Sequence, residues 1–297
     1  MGIEDIHAAV IDDVVRRGGV VMLMGAPDTG KTSLAKAILA EAIATGRSAA
    51  FVDADVGQTT VGPPACVGLK FVSARAHLAE LESADAIRFV GSITPDGLVL
   101  PQVVATAALV DRARQEAELV VVDTTGLVSG VVGQTLKYYK VESCRPDAVV
   151  ALQRGGEMEP VVGMLNRFFE VKVTSIGIDP SVVPVSVEER RVHRAKRFAE
   201  ALAEPLTRWR VRPTVFAPTL PAGLDLGRLN RMLVGLHDGL GECRGLGVLA
   251  NEGDTLLVAT NRGEDMQGLR LGSMKIDLAT YEVEQVRLRE VMFGLEG

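Results

Sequence analysis

Short apolar runs recur along the first two thirds of the chain, separated by stretches with a helical period. Val20-Val21-Met22-Leu23-Met24 is too short for a helix and is bounded by glycines, the pattern of a strand buried on both faces of a parallel sheet. Comparable runs fall at Ala49 to Val52, Ile87 to Val90, Leu119 to Val122, Ala148 to Leu152 and Val173 to Ile178. Between them, Lys31 to Ala44, Val103 to Glu118, Val161 to Phe169 and Val187 to Ala203 space their apolar residues as helices do. A first helix is expected earlier still, because Ile3, Ile6, Val10 and Val14 keep that spacing until Gly18-Gly19 stops it. Strands alternating with helices of this length predict βαβ crossovers, and so an α/β fold with a parallel sheet flanked by helices.

After about Pro213 the texture changes. Short strand-like pieces at Gly247 to Ala250, Leu256 to Ala259, Leu269 to Ile276 and Val283 to Val291 are separated by Asn, Gly and Asp turns. The expected organisation is a body over residues 1–213 and a small β-rich C-terminal domain over 214–297, with Pro213, Pro218, Pro221 and Gly223 as the linker.

Composition narrows the classes. A chain of 297 residues with 47% hydrophobic and 24% charged residues is an ordinary globular protein and excludes general disorder. A formal charge of −6 and 4% aromatic residues exclude a protein that coats nucleic acid by bulk charge or base stacking, so any such contact must be local. Cys66, Cys144 and Cys243 stand far apart and His7, His77, His193 and His237 form no close pair, which argues against a structural zinc site. Thiols without a disulfide framework, an acidic start at Glu4-Asp5 and no apolar run near the roughly 18 residues of a membrane span predict a cytoplasmic protein with no membrane segment.

The chemistry begins directly after the first strand. Gly25-Ala26-Pro27-Asp28-Thr29-Gly30-Lys31-Thr32-Ser33 satisfies GxxxxGK[ST] between a strand and a helix. Glycines let backbone N–H groups converge on phosphate oxygens, the helix N-terminus adds its dipole, and Lys31 supplies a cation for β and γ phosphates. Thr32 then offers its hydroxyl to Mg²⁺. The second strand runs into Asp53-Ala54-Asp55-Val56-Gly57-Gln58, and a later one into Asp123-Thr124-Thr125-Gly126. Strand ends of an open parallel sheet face the ligand crevice, so Asp53, Asp55 and Asp123 are expected to converge on the phosphate loop. One carboxylate can hold the Mg²⁺ shell and another can accept a proton from an attacking hydroxyl. Taken singly, each aspartate fits a helix cap or a turn equally well. The form DxxG is also that of γ-phosphate-sensing switches, but no NKxD stands ready to read guanine, so ATP is the expected donor.

Taken in order, GAPDTGKTS, DADVGQTTVGPP (Asp53 to Pro64), FVGSITPDG (Phe89 to Gly97), VVDTTGLVSG (Val121 to Gly130) and RRVHRAKR (Arg190 to Arg197) resemble the Clp1/Grc3-type polynucleotide 5′-hydroxyl kinases. The likeness runs from about Val20 to Leu202. The resemblance implies transfer of the γ-phosphoryl group of ATP to the 5′-hydroxyl of RNA or DNA. It assigns Asp55 as general base and metal-shell ligand, Asp123 and Thr32 to the metal, Gln58 to the nucleotide, and Arg190, Arg191, Arg194 and Arg197 to a lid. Ser92, Thr94, Thr125 and Gly126 would face the acceptor. Many relatives carry a tryptophan that grips the terminal nucleotide where this chain has Leu127, so a weaker or different grip on the acceptor is expected. The eukaryotic members carry an N-terminal β domain, whereas a short helix precedes the phosphate loop here, as in the shorter prokaryotic forms.

The lid also follows from spacing, since three of Arg190, Arg191, Arg194 and Arg197 share one helix face and guanidiniums stabilise a transferring phosphoryl group. The same arginines suit a solvated face paired with Glu188, Glu189 and Glu200. Lys137, Tyr138, Tyr139 and Lys140 offer a phosphate and a base contact, or a partly buried helix whose lysines extend to solvent. Beside the kinase stands a second reading, a nucleotide-dependent switch or assembly ATPase or GTPase acting on a protein partner, and a third, a kinase for a small hydroxylated metabolite.

Overall fold

A computed structural model describes residues 2–253, 255–264 and 266–294. In chain order its first part holds α1 (Ile3–Arg17), β1 (Gly19–Gly25), α2 (Lys31–Ala44), β2 (Ala49–Ala54), β3 (Cys66–Val72), α3 (Arg75–Ala79) and β4 (Ala86–Phe89). These are followed by α4 (Val99–Glu116), β5 (Leu119–Thr124), α5 (Gly130–Cys144), β6 (Ala148–Gln153), α6 (Glu159–Phe168), β7 (Lys172–Gly177) and α7 (Val187–Ala201). Five strands run parallel in the order β2-β5-β1-β6-β7. Their continuous apolar runs are explained by burial on both faces. Val20, Met22 and Met24 of β1 join one core with Leu109 of α4, Val141 of α5 and Leu165 of α6. Val21 and Leu23, pointing the other way, join a second with Val14 of α1 and Leu34 and Ile38 of α2.

The sheet is mixed rather than wholly parallel. β3 and β4 extend it beyond β2, and both pairings are antiparallel. The Ile87 run, read from sequence as parallel, is therefore antiparallel to its neighbour. The connections explain this, since the 54–66 loop and the five-residue α3 are too short to serve as crossover helices. β3 escapes the sequence reading because Gly68 and Lys70 interrupt its apolar run; Lys70 is nonetheless buried and donates to Asp85 at 3.2 Å.

The C-terminal part holds β8 (Thr207–Val211), β9 (Phe216–Ala217), β10 (Met232–His237), β11 (Cys243–Glu252), β12 (Thr255–Thr260), β13 (Gly268–Ile276), β14 (Val283–Gln285) and α8 (Leu288–Phe293). β8-β12-β11-β10-β13-β14 pair in series, all antiparallel, over a core that includes Phe216, Leu229, Val234, Leu256 and Leu269. β8 belongs to this group although it precedes the proline cluster. The strand expected to continue to Val291 ends at Gln285, and Leu288, Val291 and Met292 pack instead as one helical face. No helix among the described residues is long and apolar enough to cross a membrane.

The two strand groups meet where Cys243 of β11 pairs with Ile87 of β4, and Phe89, Phe198, Leu233, Leu246 and Met274 close a shared core beneath. Gly91 O accepts Ser273 N at 2.7 Å there. The backbones approach so closely that a Cβ on Gly91, which has φ of +89°, would stand 2.9 Å from Gly272 Cα. Gly91→Val is therefore expected to cost about 2–3 kcal/mol. Differential scanning calorimetry should record a fall in Tm of about 3–5 °C.

Candidate active site

β1 ends at Gly25, and the chain turns through Asp28, at φ 54°, and Gly30, at φ 85°, before α2 begins. Thr29 Oγ1 donates to Ala26 O at 2.9 Å, and Lys31 Nζ donates to the same carbonyl at 2.7 Å, so the buried lysine is strapped across its own loop. Burial pulls the Lys31 ammonium below its usual pKa, while the carboxylates of Asp123, Asp55 and Asp28 pull it back up. Gly30 to Ser33 line a cleft of about 740 Å³, where the first turn of α2 has no helical partners for its N–H groups.

Of the three acidic strand-end residues, Asp55 lines the cleft and Asp123 reaches the loop through Thr32, whereas Asp53, expected to converge with them, does neither. Asp53 and Asp123 are register partners on β2 and β5, both buried. Asp53 is turned to the backbone: Oδ1 accepts Asp55 N at 3.0 Å, and Oδ2 accepts Val61 N at 3.0 Å together with Thr60 N. Burial and the Asp123 charge push the Asp53 carboxyl up to about 8, against the pull of the Val61 N–H. Asp123 Oδ2 accepts Thr32 Oγ1 at 2.6 Å, and its Oδ1 is buried without a hydrogen-bond partner. Burial raises this carboxyl too, with Lys31 and the Thr32 hydroxyl opposing. Asp55 is half-buried and lines the cleft, its Oδ1 accepting Gly57 N at 3.1 Å and Gln58 N at 3.2 Å. Gln58 Nε2 in turn donates to Arg190 O at 3.4 Å.

The cleft wall is completed by Thr125 to Ser129, Ile93, Glu157, Val182, Val183, Val185, Arg190 and Arg194. α7 starts on a capping box in which Ser186 Oγ accepts Glu189 N at 3.1 Å, and it divides its arginines by turn. Arg190 pairs with Asp28 of the phosphate loop and Arg194 lines the cleft. Arg191 points outward to Glu188 and Glu282. Arg197 is buried away from the cleft, where it donates to Gly62 O at 2.8 Å, Glu82 O at 2.9 Å and Glu82 Oε2 at 3.2 Å. The lid expected from four arginines thus has two at the cleft.

On the acceptor side, Thr125 and Gly126 line the cleft, whereas Ser92 is buried with Oγ 3.4 Å from Gln285 Oε1. Thr94 N donates to Ser92 Oγ at 3.0 Å, and neither residue is in the wall; Ile93 between them is. Lys137 and Lys140 do not extend to solvent but are fully buried. Sequence reasoning passed over Arg154, which follows β6 and donates to Pro27 O at 3.3 Å and to Asp28 O. The strand-end rule that found the aspartates would have found it. The valine loop at 182–185 carries no motif and was not legible.

The residues present fit a phosphate cradle and a hard cation. Thr32, Asp55 and Asp123 offer oxygen alone, and among the described residues no three His, Cys, Asp or Glu form an all-protein cage. Magnesium prefers that donor set, taking one or two carboxylates and leaving its remaining positions to water and phosphate.

Comparison with known proteins follows the same lines. A polyribonucleotide 5′-hydroxyl-kinase of Pyrococcus furiosus is 27% identical, with 94% of this chain and 88% of that protein covered. A protein of the same description from Methanocaldococcus jannaschii is 28% identical over 86% of this chain and 87% of its own. Among solved structures, a Clp1p–Pcf11p complex superposes with a TM-score of 0.68 over 92% of this chain and 78% of that one, at 13% identity, a likeness of fold. The family model described as mRNA cleavage and polyadenylation factor CLP1 P-loop matches residues 25–203, more than half of the 297, and the chain belongs to that family.

Proposed function

We propose that this protein is an ATP- and Mg²⁺-dependent polynucleotide 5′-hydroxyl kinase, with the 5′-hydroxyl end of RNA or DNA as acceptor. The observation that carries the reading is the meeting of the phosphate loop, Asp55, Arg190 and Arg194 in one cleft whose remaining wall is free for an acceptor. The description shared by the Pyrococcus and Methanocaldococcus relatives supports the acceptor class and favours RNA as the first to try. Buried free cysteines suit a reducing cytoplasm.

Gly25 to Ser33 bind and orient the triphosphate, with Lys31 beside the transferring group. Thr32, Asp123 and Asp55 would hold Mg²⁺, which supplies charge neutralisation on the phosphates when bound. Asp55 accepts the proton of the 5′-hydroxyl as that oxygen bonds to the γ-phosphorus and the bond to ADP breaks. Arg190 and Arg194 stabilise the charge spread over the equatorial oxygens, and the apolar Val182, Val183 and Leu127 thin the water around it.

Transfer of labelled γ-phosphate to a 5′-hydroxyl RNA oligonucleotide is the direct test. Lys31→Ala and Asp55→Ala should each lower it by about 10³-fold. ATP turnover indifferent to oligonucleotide in the wild type would overturn the reading and favour the switch. Arg194 and Arg197 should separate by readout. Arg194→Ala is expected to lose about 10²-fold or more in kcat with Tm held. Arg197→Ala, which strips the partner from a buried network, should cost about 3 kcal/mol, lowering Tm by about 5 °C. Gly126 packs so tightly that a Cβ would stand 2.7 Å from Pro27 N. Gly126→Ala should therefore push the phosphate loop aside and lower turnover by about 10²-fold, read in the same assay.

A further inference from the structure

Two groups beneath the cleft take no part in this chemistry. Lys137 and Lys140 stand one turn apart on α5 with both side chains fully buried. Burying an ammonium opposes folding, so two in one helical turn mark a place where position outweighs stability. Lys137 Nζ donates to Thr124 Oγ1 at 2.8 Å and to Thr125 O at 2.6 Å, and Thr124 Oγ1 donates onward to Leu23 O at 2.8 Å. This relay joins α5, the end of β5 and the strand that leads into the phosphate loop. Lys140 Nζ donates to Ala54 O at 3.3 Å, and the same carbonyl accepts the buried Gln102 Nε2 at 2.8 Å. Ala54 is the residue between Asp53 and Asp55, and Thr124 directly follows Asp123. Lys140 thus holds the peptide that leads into Asp55, Lys137 holds the hydroxyl of the residue after Asp123 and the carbonyl one residue further on, and neither lysine lines the cleft.

We infer that Lys137 and Lys140 are positioning residues that hold the two acidic strand ends in register with the phosphate loop. α5 begins directly after Leu127, Val128 and Ser129 of the cleft wall, so one helix carries that wall, the acids and the β1 strand as a single unit. The inference rests on the kinase reading for the reaction it serves and on the hydrogen bonds alone for its geometry.

Lys137→Met and Lys140→Met keep side-chain length and remove the donor. In the full-length protein, kcat for 5′-phosphorylation of RNA should fall about 30- to 100-fold. KM for the oligonucleotide and Kd for a fluorescent ATP analogue should stay within about threefold. Tm should hold or rise, since an apolar group replaces a buried charge. Amide hydrogen exchange over residues 53–58 and 123–127 should quicken by about tenfold while the rest of the sheet keeps its protection. A kcat within about threefold of wild type with exchange unchanged overturns the inference. So does a drop in Tm with exchange quickened across the whole sheet, which is the mark of core support alone. Thr124→Val breaks the relay at its middle and carries the same expectation if a Met variant does not fold. A wild type that hydrolyses ATP but leaves RNA unphosphorylated overturns the kinase reading alone, and the same variants are then judged on hydrolysis and exchange.

Discussion

Two carboxylates, Asp53 and Asp123, lie next to each other on adjacent parallel strands, buried where water cannot screen them. Burial works against the ionised form of both, with the Asp123 charge adding to it at Asp53 and the Asp55 charge at Asp123, so the neighbouring elements must supply donors or positive charge. Lys31 and the Thr32 hydroxyl come from the start of α2, and the backbone N–H groups of Asp55, Thr60 and Val61 come from the loop after β2. That wrapping has an architectural result. By drawing residues 60 and 61 back onto the end of β2, Asp53 turns the chain around, and the next strand is laid down antiparallel. The mixed character of the sheet and the electrostatics of the cleft floor thus share a cause.

α7 shows the same economy along one helix. Its C-terminal half is fastened by Arg197 to two backbone carbonyls and by Phe198 in the junction core, while Arg194 and Arg190, one and two turns earlier, stand at the cleft. Anchoring one end of a helix fixes the direction in which its other end projects. The arginines at the cleft need no contacts of their own to the sheet to be aimed at it.

The legible and illegible parts of this chain divide by the range of the interactions involved. Val20 to Met24 reads as a buried strand because both of its faces are apolar, and the phosphate loop reads because its residue types answer to a local backbone geometry. β3 does not read, since the partner that makes buried Lys70 acceptable, Asp85, is 15 residues away. Arg194 and Arg197 are indistinguishable by helical period; what separates them is Glu82, more than a hundred residues earlier. Lys137 and Lys140 look like solvent-reaching lysines until the carbonyls of Thr125 and Ala54 are placed above them. Spacing tells which residues share a face, and only the assembled sheet tells what that face meets.

The contact of Gly91 with Gly272, and of Ser92 with Gln285, carries an implication for how such a chain can change over time. All the phosphate-handling motifs lie before β8, yet the loop beside Ile93 in the cleft wall is propped from β13 and β14. A recombination that exchanged the motif-bearing portion with a relative while leaving the C-terminal strands behind would carry every recognisable signature and mismatch the prop. The unit that can be inherited whole is set by that glycine seam rather than by the extent of the motifs.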